Sequence, residues 1–163
     1  MSEQRSAEPA ANDPSGDDPR VAAYGRGVAA DVVVAISAEF PLVAVTTRLY
    51  ETGVWLARVE FAPPREDSVP VWLVVNRDKT FVVAAGETYR WDEEFIPELR
   101  EQQVGVIVAE IRDLALHGLL AVRTNRLFGV YSTTVVGTPD DEFVATALAR
   151  PLAKELERFT GWN

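Results

Sequence analysis

The 163-residue sequence lacks cysteine altogether and has a single histidine, His117. Without cysteine there is no disulfide, no thiolate ligand for zinc and no thiol nucleophile. Histidine is the side chain that most often moves protons near neutral pH, so a single copy leaves little material for acid–base catalysis. We also find no phosphate-binding or catalytic motif. The composition therefore favours binding over enzymatic chemistry and predicts no cofactor.

Lysine is nearly absent as well, since Lys79 and Lys154 are its two copies, and the formal net charge is −9. A protein that binds duplex nucleic acid needs several basic side chains to neutralise phosphates, so nucleic acid is not an expected partner. Heavy use of alanine, valine and arginine with so little lysine is typical of a GC-rich bacterial genome.

Long hydrophobic runs are also missing. The longest, such as Val32–Ile36 and Val104–Ala109, are far shorter than the roughly 20 apolar residues that a membrane-spanning helix needs. The N-terminus is acidic and has no basic start followed by an apolar stretch, so it does not read as a secretory signal. We therefore expect no membrane partner and a cytoplasmic location.

Residues 1–19 carry five acidic residues against one arginine and are otherwise rich in alanine, proline and serine. Such a segment has too little apolar surface to offset the entropy of ordering it. We expect a disordered acidic tail over residues 1–19 and a single domain over residues 20–163, a length that suits one hydrophobic core.

The first half of this domain reads as one helix followed by strands. The helix is predicted over 19–40, with Asp17 or Asp18 as its cap, Pro19 in its first turn and Pro41 after its end. Alternation of apolar and polar residues, together with one continuous apolar run, then predicts four strands. These cover residues 43–50, 55–61, 71–75 and 80–85.

The second half reads as helix, two strands and helix. The second helix is predicted to begin at Pro97 and to end at Gly118, a left-handed stop. Its predicted buried stripe consists of Leu99, Val106, Ile107, Ile111, Leu114 and Ala115. Two strands follow over 119–123 and 126–136. The third helix is predicted from a Thr138 cap to Phe159, with a kink at Pro151.

This order, α-ββββ-α-ββ-α, predicts the α+β class, with an antiparallel sheet of about five to six strands and helices packed on one face. The order resembles that of bacterial secretion-chaperone-like domains and their YbjN-type relatives. The resemblance lies in the order of elements, and it implies a chaperone-like binding role.

Two groups of residues are candidates for binding a partner or ligand. Arg123, Asn125 and Arg126 form a polar turn whose two guanidiniums suit a carboxylate or a phosphate, although a merely solvated turn has the same composition. Trp55 and Trp72 lie on strands beside polar residues, where they line a pocket or a partner-binding face, or else pack in the core.

Three further patterns have structural explanations. His117, with Asp113 one helical turn earlier, fits the end of a helix and has no recognisable nucleophile beside it. The acidic residues 140–142 fit the start of the third helix better than a metal site, because consecutive helical residues point in different directions. Gly105 fits close helix packing better than phosphate binding. No metal site and no catalytic residue is predicted.

We therefore expect a non-enzymatic protein-interaction or chaperone-like binding domain. Its partner would be another protein or a second copy in a homodimer, since the apolar stretch 104–108 is wider than one sheet face covers. The alternative is a small-molecule-binding protein or enzyme with a pocket between sheet and helices. A further alternative is an immunity or antitoxin-like protein, whose acidic surface would neutralise a basic toxin.

Overall fold

The computed structural model describes residues 18–125, 132–150 and 152–163, and it confirms the predicted α+β class. Of the predicted tail, residues 1–17 lie outside the described part of the chain, as do Arg126 and Pro151. The helices are α1 (Pro19–Glu39), α2 (Arg100–His117) and α3 (Glu142–Leu148). The strands are β1 (Ala44–Leu49), β2 (Trp55–Ala62), β3 (Val71–Asn76), β4 (Thr80–Ala85), β5 (Tyr89–Glu94), β6 (Leu119–Asn125), β7 (Ser132–Gly137) and β8 (Lys154–Phe159).

Helix α1 forms as the sequence predicts and ends one residue earlier, because Phe40 is its C-terminal cap. The Asp18 carboxylate accepts a 2.8 Å hydrogen bond from the Arg20 amide, and Pro19 occupies the first turn. Gly25 brings the helix close to the sheet, since a Cβ there would lie 2.6 Å from Cγ1 of Val75. This glycine, in the first turns of the helix, is therefore a point of close packing.

Strands β1 to β5 form one antiparallel meander in chain order. The alternation along each strand gives it an inner face that carries most of the core, including Val59, Phe61, Leu73 and Phe81. Helices α1 and α2 pack together against this face, α1 against β2 and β3, and α2 against β4. The helices therefore cover one face of the five-stranded sheet, as predicted.

Strand β5 is an element that the sequence analysis did not assign. Four of its six residues are charged, and its side chains alternate between half-buried and exposed. Tyr89 and Trp91 lie on the side that packs against the core. A strand that is covered on one face only has apolar residues at every second position, whereas a strand covered on both faces is apolar throughout. In β5 those apolar positions are the two aromatic residues, so its sequence gives a weak indication of a strand.

The prediction that the third helix extends to Phe159 is wrong, because α3 ends at Leu148. Asp141, not Thr138, caps α3 by accepting a 2.7 Å hydrogen bond from the Phe143 amide. The chain then forms β8, which pairs antiparallel with β6 in a second sheet of order β7-β6-β8. Strand β6 is largely buried, so pairing along both of its edges satisfies backbone groups that a continued helix would leave unpaired.

Helix α2 begins at Arg100, because Pro97–Leu99 forms a separate 3₁₀ turn. Leu99 and Val106, which the sequence places in the buried stripe, are exposed, and Gln103 and Val108 are buried instead. The interpretation of Gly105 as a close-packing residue is wrong, since a Cβ there would meet nothing within 4 Å.

Gly118 ends α2 as predicted, with a φ of 80°. A Cβ at this position would lie 2.3 Å from the carbonyl oxygen of Phe159. The turn therefore needs glycine both for its backbone angle and for the approach of the chain that follows β8.

Candidate functional site

An apolar groove runs between α1 and the first two strands of the large sheet. Its volume is about 400 Å³. It is lined by Arg26, Ala29, Ala30, Val33, Val34, Thr47, Leu49, Ala57 and Val59. Eight of these nine residues present aliphatic or methyl groups, and Arg26 supplies the one charge.

The groove is open because α1 packs mainly against β2 and β3; on the inner face of β1, Val45 packs on the core, but Thr47 and Leu49 stay exposed. Five of the six residues of β1 are exposed, Leu49 to 58 % of its full area. On the helix, Val32 is buried, Val33 is half-buried and Val34 is 70 % exposed. Three consecutive valines on a helix span about 200° of its circumference, so one sheet cannot cover all of them.

Two ion pairs hold α1 against α2, on the side away from the groove. Asp31 accepts hydrogen bonds of 3.1 and 2.8 Å from Nε and Nη2 of Arg100. Glu39 is bound by Arg112 at 2.6 to 2.9 Å, and this hydrogen-bonded guanidinium lowers the pKa of the Glu39 carboxyl. These contacts fix the helix so that Val34 and its neighbours remain on the open side.

Arg26 closes one end of the groove. Its Nη2 donates a 2.9 Å hydrogen bond to the carbonyl of Tyr50 and lies 3.5 Å from the Glu51 carboxylate. Its Nε is buried and has no hydrogen-bond partner among residues 18–125, 132–150 and 152–163. The Trp55 ring stands edge-on to Tyr50, with 5.6 Å between the ring centroids. This end of the groove therefore carries a positive charge, and two aromatic residues, Tyr50 and Trp55, lie beyond its lining.

Strand β1 is also an edge of its sheet. Within the described residues it pairs with β2 alone, in a register that places Thr47 opposite Val59 and Leu49 opposite Ala57. The N–H and C=O groups on its other side point outward, and unpaired groups of this kind are a template for another strand. An open edge and an apolar groove thus lie side by side.

Helix α1 is apolar beyond the part that the sheet covers. By length and composition alone, with a mean hydropathy of 1.4 over its most apolar window, it could cross a membrane, and in the structure it packs on the sheet. Its surplus of apolar surface is what lines the groove.

The structure does not bring the two tryptophans of the sequence analysis together. Trp55 lies at the start of β2, near the Arg26 end of the groove. Trp72 lies opposite Glu60, four residues along β3 from Asn76, the partner of Trp55, and the Arg58 guanidinium is 5.7 Å from its ring centroid. The core tryptophan is Trp162, which packs against Phe40 and Phe61.

The arginine turn is described in part. Arg123 and Asn125 are exposed at the end of β6, and Arg126 lies outside the described residues. Arg123 lines a hollow of about 480 Å³ together with Glu87, Thr88, Leu156 and Glu157. Glu157 accepts hydrogen bonds from the Glu87 amide at 2.8 Å and from the Thr88 hydroxyl at 2.7 Å. The carboxylates beside Arg123 reduce its attraction for an anionic ligand.

His117 sits between two carboxylates at the end of α2. Its Nδ1 lies 3.4 Å from Asp140 and its Nε2 lies 3.8 Å from Asp113, and all three side chains are well exposed. On the same helix, burial raises the pKa of Glu110, and the neighbouring Asp113 carboxylate adds to the effect. Across the described residues, no group of three or more histidine, aspartate or glutamate side chains is placed to hold a metal ion.

The groove was not found by the sequence analysis, although a signal for it is present. Three consecutive valines on a helix, followed by a strand with just one charged residue, indicate more apolar surface than one sheet face covers. The sequence analysis draws this inference for residues 104–108 instead. No protein-family model, curated protein or solved structure matches this chain.

Proposed function

We propose that this chain is a non-enzymatic protein-interaction domain that binds an extended segment of protein along β1. The observation that carries the proposal is the open edge of β1 beside the apolar groove that Val34 and Leu49 line. The chaperone-like role that the order of elements implies is the same kind of activity, namely holding an extended segment of another chain.

Such a segment would bind by adding a strand to the sheet. Its main chain pairs with the outward N–H and C=O groups of β1, which gives affinity without sequence preference. Successive side chains of a strand point to opposite faces, so every second side chain enters the groove and the others face solvent. The site therefore selects segments in which apolar residues alternate with polar ones.

The groove also sets a preference for charge. Arg26 at its end and Arg48 on the outer face of β1 are the basic groups nearest to the bound segment, and Glu51 partly offsets them. An acidic residue opposite Arg48 adds a favourable pair, although an exposed pair of this kind contributes less than about 1 kcal/mol. Apolar burial is the larger contribution.

Two predictions from the sequence stand beside this proposal. They are a cytoplasmic location and the absence of nucleic-acid and membrane partners. The first rests on the absence of cysteine and the second on composition and net charge.

A peptide titration tests the proposed function. We expect a labelled nine-residue peptide with leucine or valine at alternate positions to bind, and Val34→Asp or Leu49→Asp to weaken binding at least tenfold. Burial of one such side chain contributes roughly 1.5–3 kcal/mol, and each 1.4 kcal/mol is a factor of ten in the dissociation constant. Fluorescence polarisation measures the change.

Phe143→Asp is the matched control, because Phe143 on α3 is 79 % exposed and lies outside the groove. This variant is expected to bind the peptide within twofold of the unchanged protein. A second peptide of the same composition, with its apolar residues grouped together, is expected to bind less well. Equal binding by all three variants, or no binding at all, would contradict the proposal.

A further inference from the structure

We infer that the strand bound along β1 is the β1 strand of a second copy of this chain, paired antiparallel about Thr47. The inference rests on the proposed function, since it names the occupant of the same edge. Two observations support it: the charge and exposed apolar surface of the four edge strands, and the residues that face each other when two β1 strands pair.

The two sheets have four edge strands, which are β1, β5, β7 and β8. Proteins commonly protect an edge strand from pairing by placing charges on it. Strands β5 and β8 each carry four charged residues out of six, whereas β1 carries Arg48 alone and β7 carries none. Charged side chains therefore protect β5 and β8 from pairing with another strand, whereas β1 and β7 lack this protection.

β1 and β7 differ in the apolar surface that they offer to an added strand. The apolar residues of β7, Val135 and Val136, are half-buried and already pack against the core clusters of this chain. On β1, Val45 is likewise half-buried against the core, but Leu49 is mostly exposed, and the apolar groove continues from it to Val34. An added strand gains apolar contacts along β1 that β7 does not offer.

The register of the two strands decides which residues face each other. With a twofold axis at Thr47, Val45 of one copy faces Leu49 of the other on the inner face, and Thr47 faces its own counterpart. On the outer face, Thr46 faces Arg48, so the two Arg48 side chains are not opposite each other. An axis at Thr46 would place Val45 opposite Thr47 and Leu49 opposite Val43, which precedes β1 and whose amide already donates to the Phe40 carbonyl, so within Ala44–Leu49 it pairs no two apolar side chains of the inner face. The strand is thus self-complementary about Thr47, as a twofold interface requires.

The acidic residues that precede α1 are the other segment of this chain that we consider as an occupant of the groove. Residues 1–17 contain Met1 as their one large apolar side chain and three prolines or glycines. They have no alternating apolar pattern that would fill the groove or pair with a strand. β1, in contrast, has on its inner face the alternating pattern that the groove selects, with Val45 and Leu49 on either side of Thr47.

A cysteine at the axis tests this arrangement. The chain contains no cysteine, so Thr47→Cys introduces a unique thiol. Residues directly opposite in an antiparallel pair have Cα atoms about 4.5–5.5 Å apart, which is within the range of a disulfide. We expect mild oxidation at micromolar concentration to convert most of this variant to a covalent dimer on a non-reducing gel.

Thr133→Cys, at an exposed position of the other uncharged edge, β7, is the matched control and is expected to remain mostly monomeric. Equal cross-linking of the two variants, or cross-linking of the β7 variant alone, would overturn the inference. Far-ultraviolet circular dichroism of the reduced proteins checks that both are folded.

A charge-swap pair gives a second readout. Because Thr47 faces itself, Thr47→Lys and Thr47→Glu should each weaken self-association at least tenfold, and an equimolar mixture should restore it. Sedimentation velocity measures the association. If neither variant differs from the unchanged protein, the axis is not at Thr47 and the inference fails.

The outcomes for the inference and for the proposed function are distinguishable. If Thr47→Cys does not cross-link while the alternating peptide still binds at Val34 and Leu49, the second copy is excluded and the protein-interaction function stands. If the peptide also fails to bind, both fall. If the copy does occupy the edge, the peptide is expected to compete with self-association.

Discussion

Replacement of Gln103 by leucine is expected to lower the free energy of unfolding by about 1–3 kcal/mol, because it leaves two part-buried backbone groups, the Ile96 amide and the Glu94 carbonyl, without their side-chain partner. Gln103 is 3 % exposed in the middle of the contact between α1, α2 and the end of β5. Its Oε1 accepts from the Ile96 amide at 2.9 Å and from the Tyr24 hydroxyl, and its Nε2 donates to the Glu94 carbonyl.

The loss is larger than that of one ordinary hydrogen bond. Glu94 ends β5 and Ile96 follows two residues later, both of their bonds to Gln103 are part-buried, and a buried group left unsatisfied costs about 1–3 kcal/mol. The Tyr24 hydroxyl keeps the Ile96 carbonyl, 3.0 Å away, as an acceptor. Burial also raises the pKa of Tyr24, so this hydroxyl stays protonated and continues to donate.

Urea denaturation measures the change, with an unaltered slope showing that the midpoint shift reflects stability. Gln102→Leu is the matched control, because Gln102 is the exposed neighbour on the same helix, and we expect a change within about 0.5 kcal/mol. Equal effects of the two substitutions would show that the Gln103 network does not hold α1 in place.

Replacement of Trp162 by alanine is the second prediction, with an expected loss of about 3–5 kcal/mol, the usual cost of deleting a large buried aromatic side chain. Trp162 is 7 % exposed and stands edge-on to Phe40, with 5.2 Å between the ring centroids. Its Nε1 donates a 2.6 Å hydrogen bond to the Val69 carbonyl.

The backbone around Trp162 explains why its loss should reach across the molecule. The Trp162 amide donates to the Ala115 carbonyl at 2.6 Å, and the Thr160 amide donates to the Asp67 carbonyl at 2.8 Å. The segment after β8 thus ties α2 and the β2–β3 loop together, and the ring packs under the end of α1. Its removal should loosen the helix that forms one wall of the groove.

Trp55→Ala is the control for this prediction. Trp55 is the same residue type but is partly exposed at the start of β2. We expect it to cost less than about 1.5 kcal/mol, since much of its area is already in water and the edge-on contact with Tyr50 contributes about 0.5–1.5 kcal/mol. Thermal unfolding followed by circular dichroism compares the two, and equal losses would contradict the assignment of Trp162 to the core.

The elements that the sequence predicts well are those whose signals are local. Asp18 and Pro19 start α1, Gly118 ends α2, and the apolar run at Val71 forms a central strand. In each case a cap, a positive φ or a covered strand depends on neighbouring residues along the chain. The structure confirms these three predictions for that reason.

The elements that the sequence mispredicts depend on pairing with distant residues. Leu152 and Leu156 continue the three- and four-residue spacing of α3, yet Leu152 has a φ of 68° and Leu156 lies in β8. Pairing with β6, about thirty residues earlier in the chain, decides the conformation of this segment. Helix propensity is a weak preference that such pairing overrides.

The candidate site shows the same division. The sequence analysis selected Arg123, Asn125, Arg126, Trp55 and Trp72 by residue type, but the groove depends on how much of the sheet α1 covers. No local pattern says that β1 is left open while β2 and β3 are covered. The run of valines at 32–34 is the one local sign of it.

The most direct test of the account is hydrogen exchange of the β1 amides, measured by mass spectrometry with and without the alternating peptide on protein dilute enough to be monomeric. The account predicts that amides within Ala44–Leu49 exchange more slowly when the strand is added, while those of β7 do not change. A peptide that binds without slowing exchange in β1, or that protects another edge instead, would contradict the claim that this edge is the binding site.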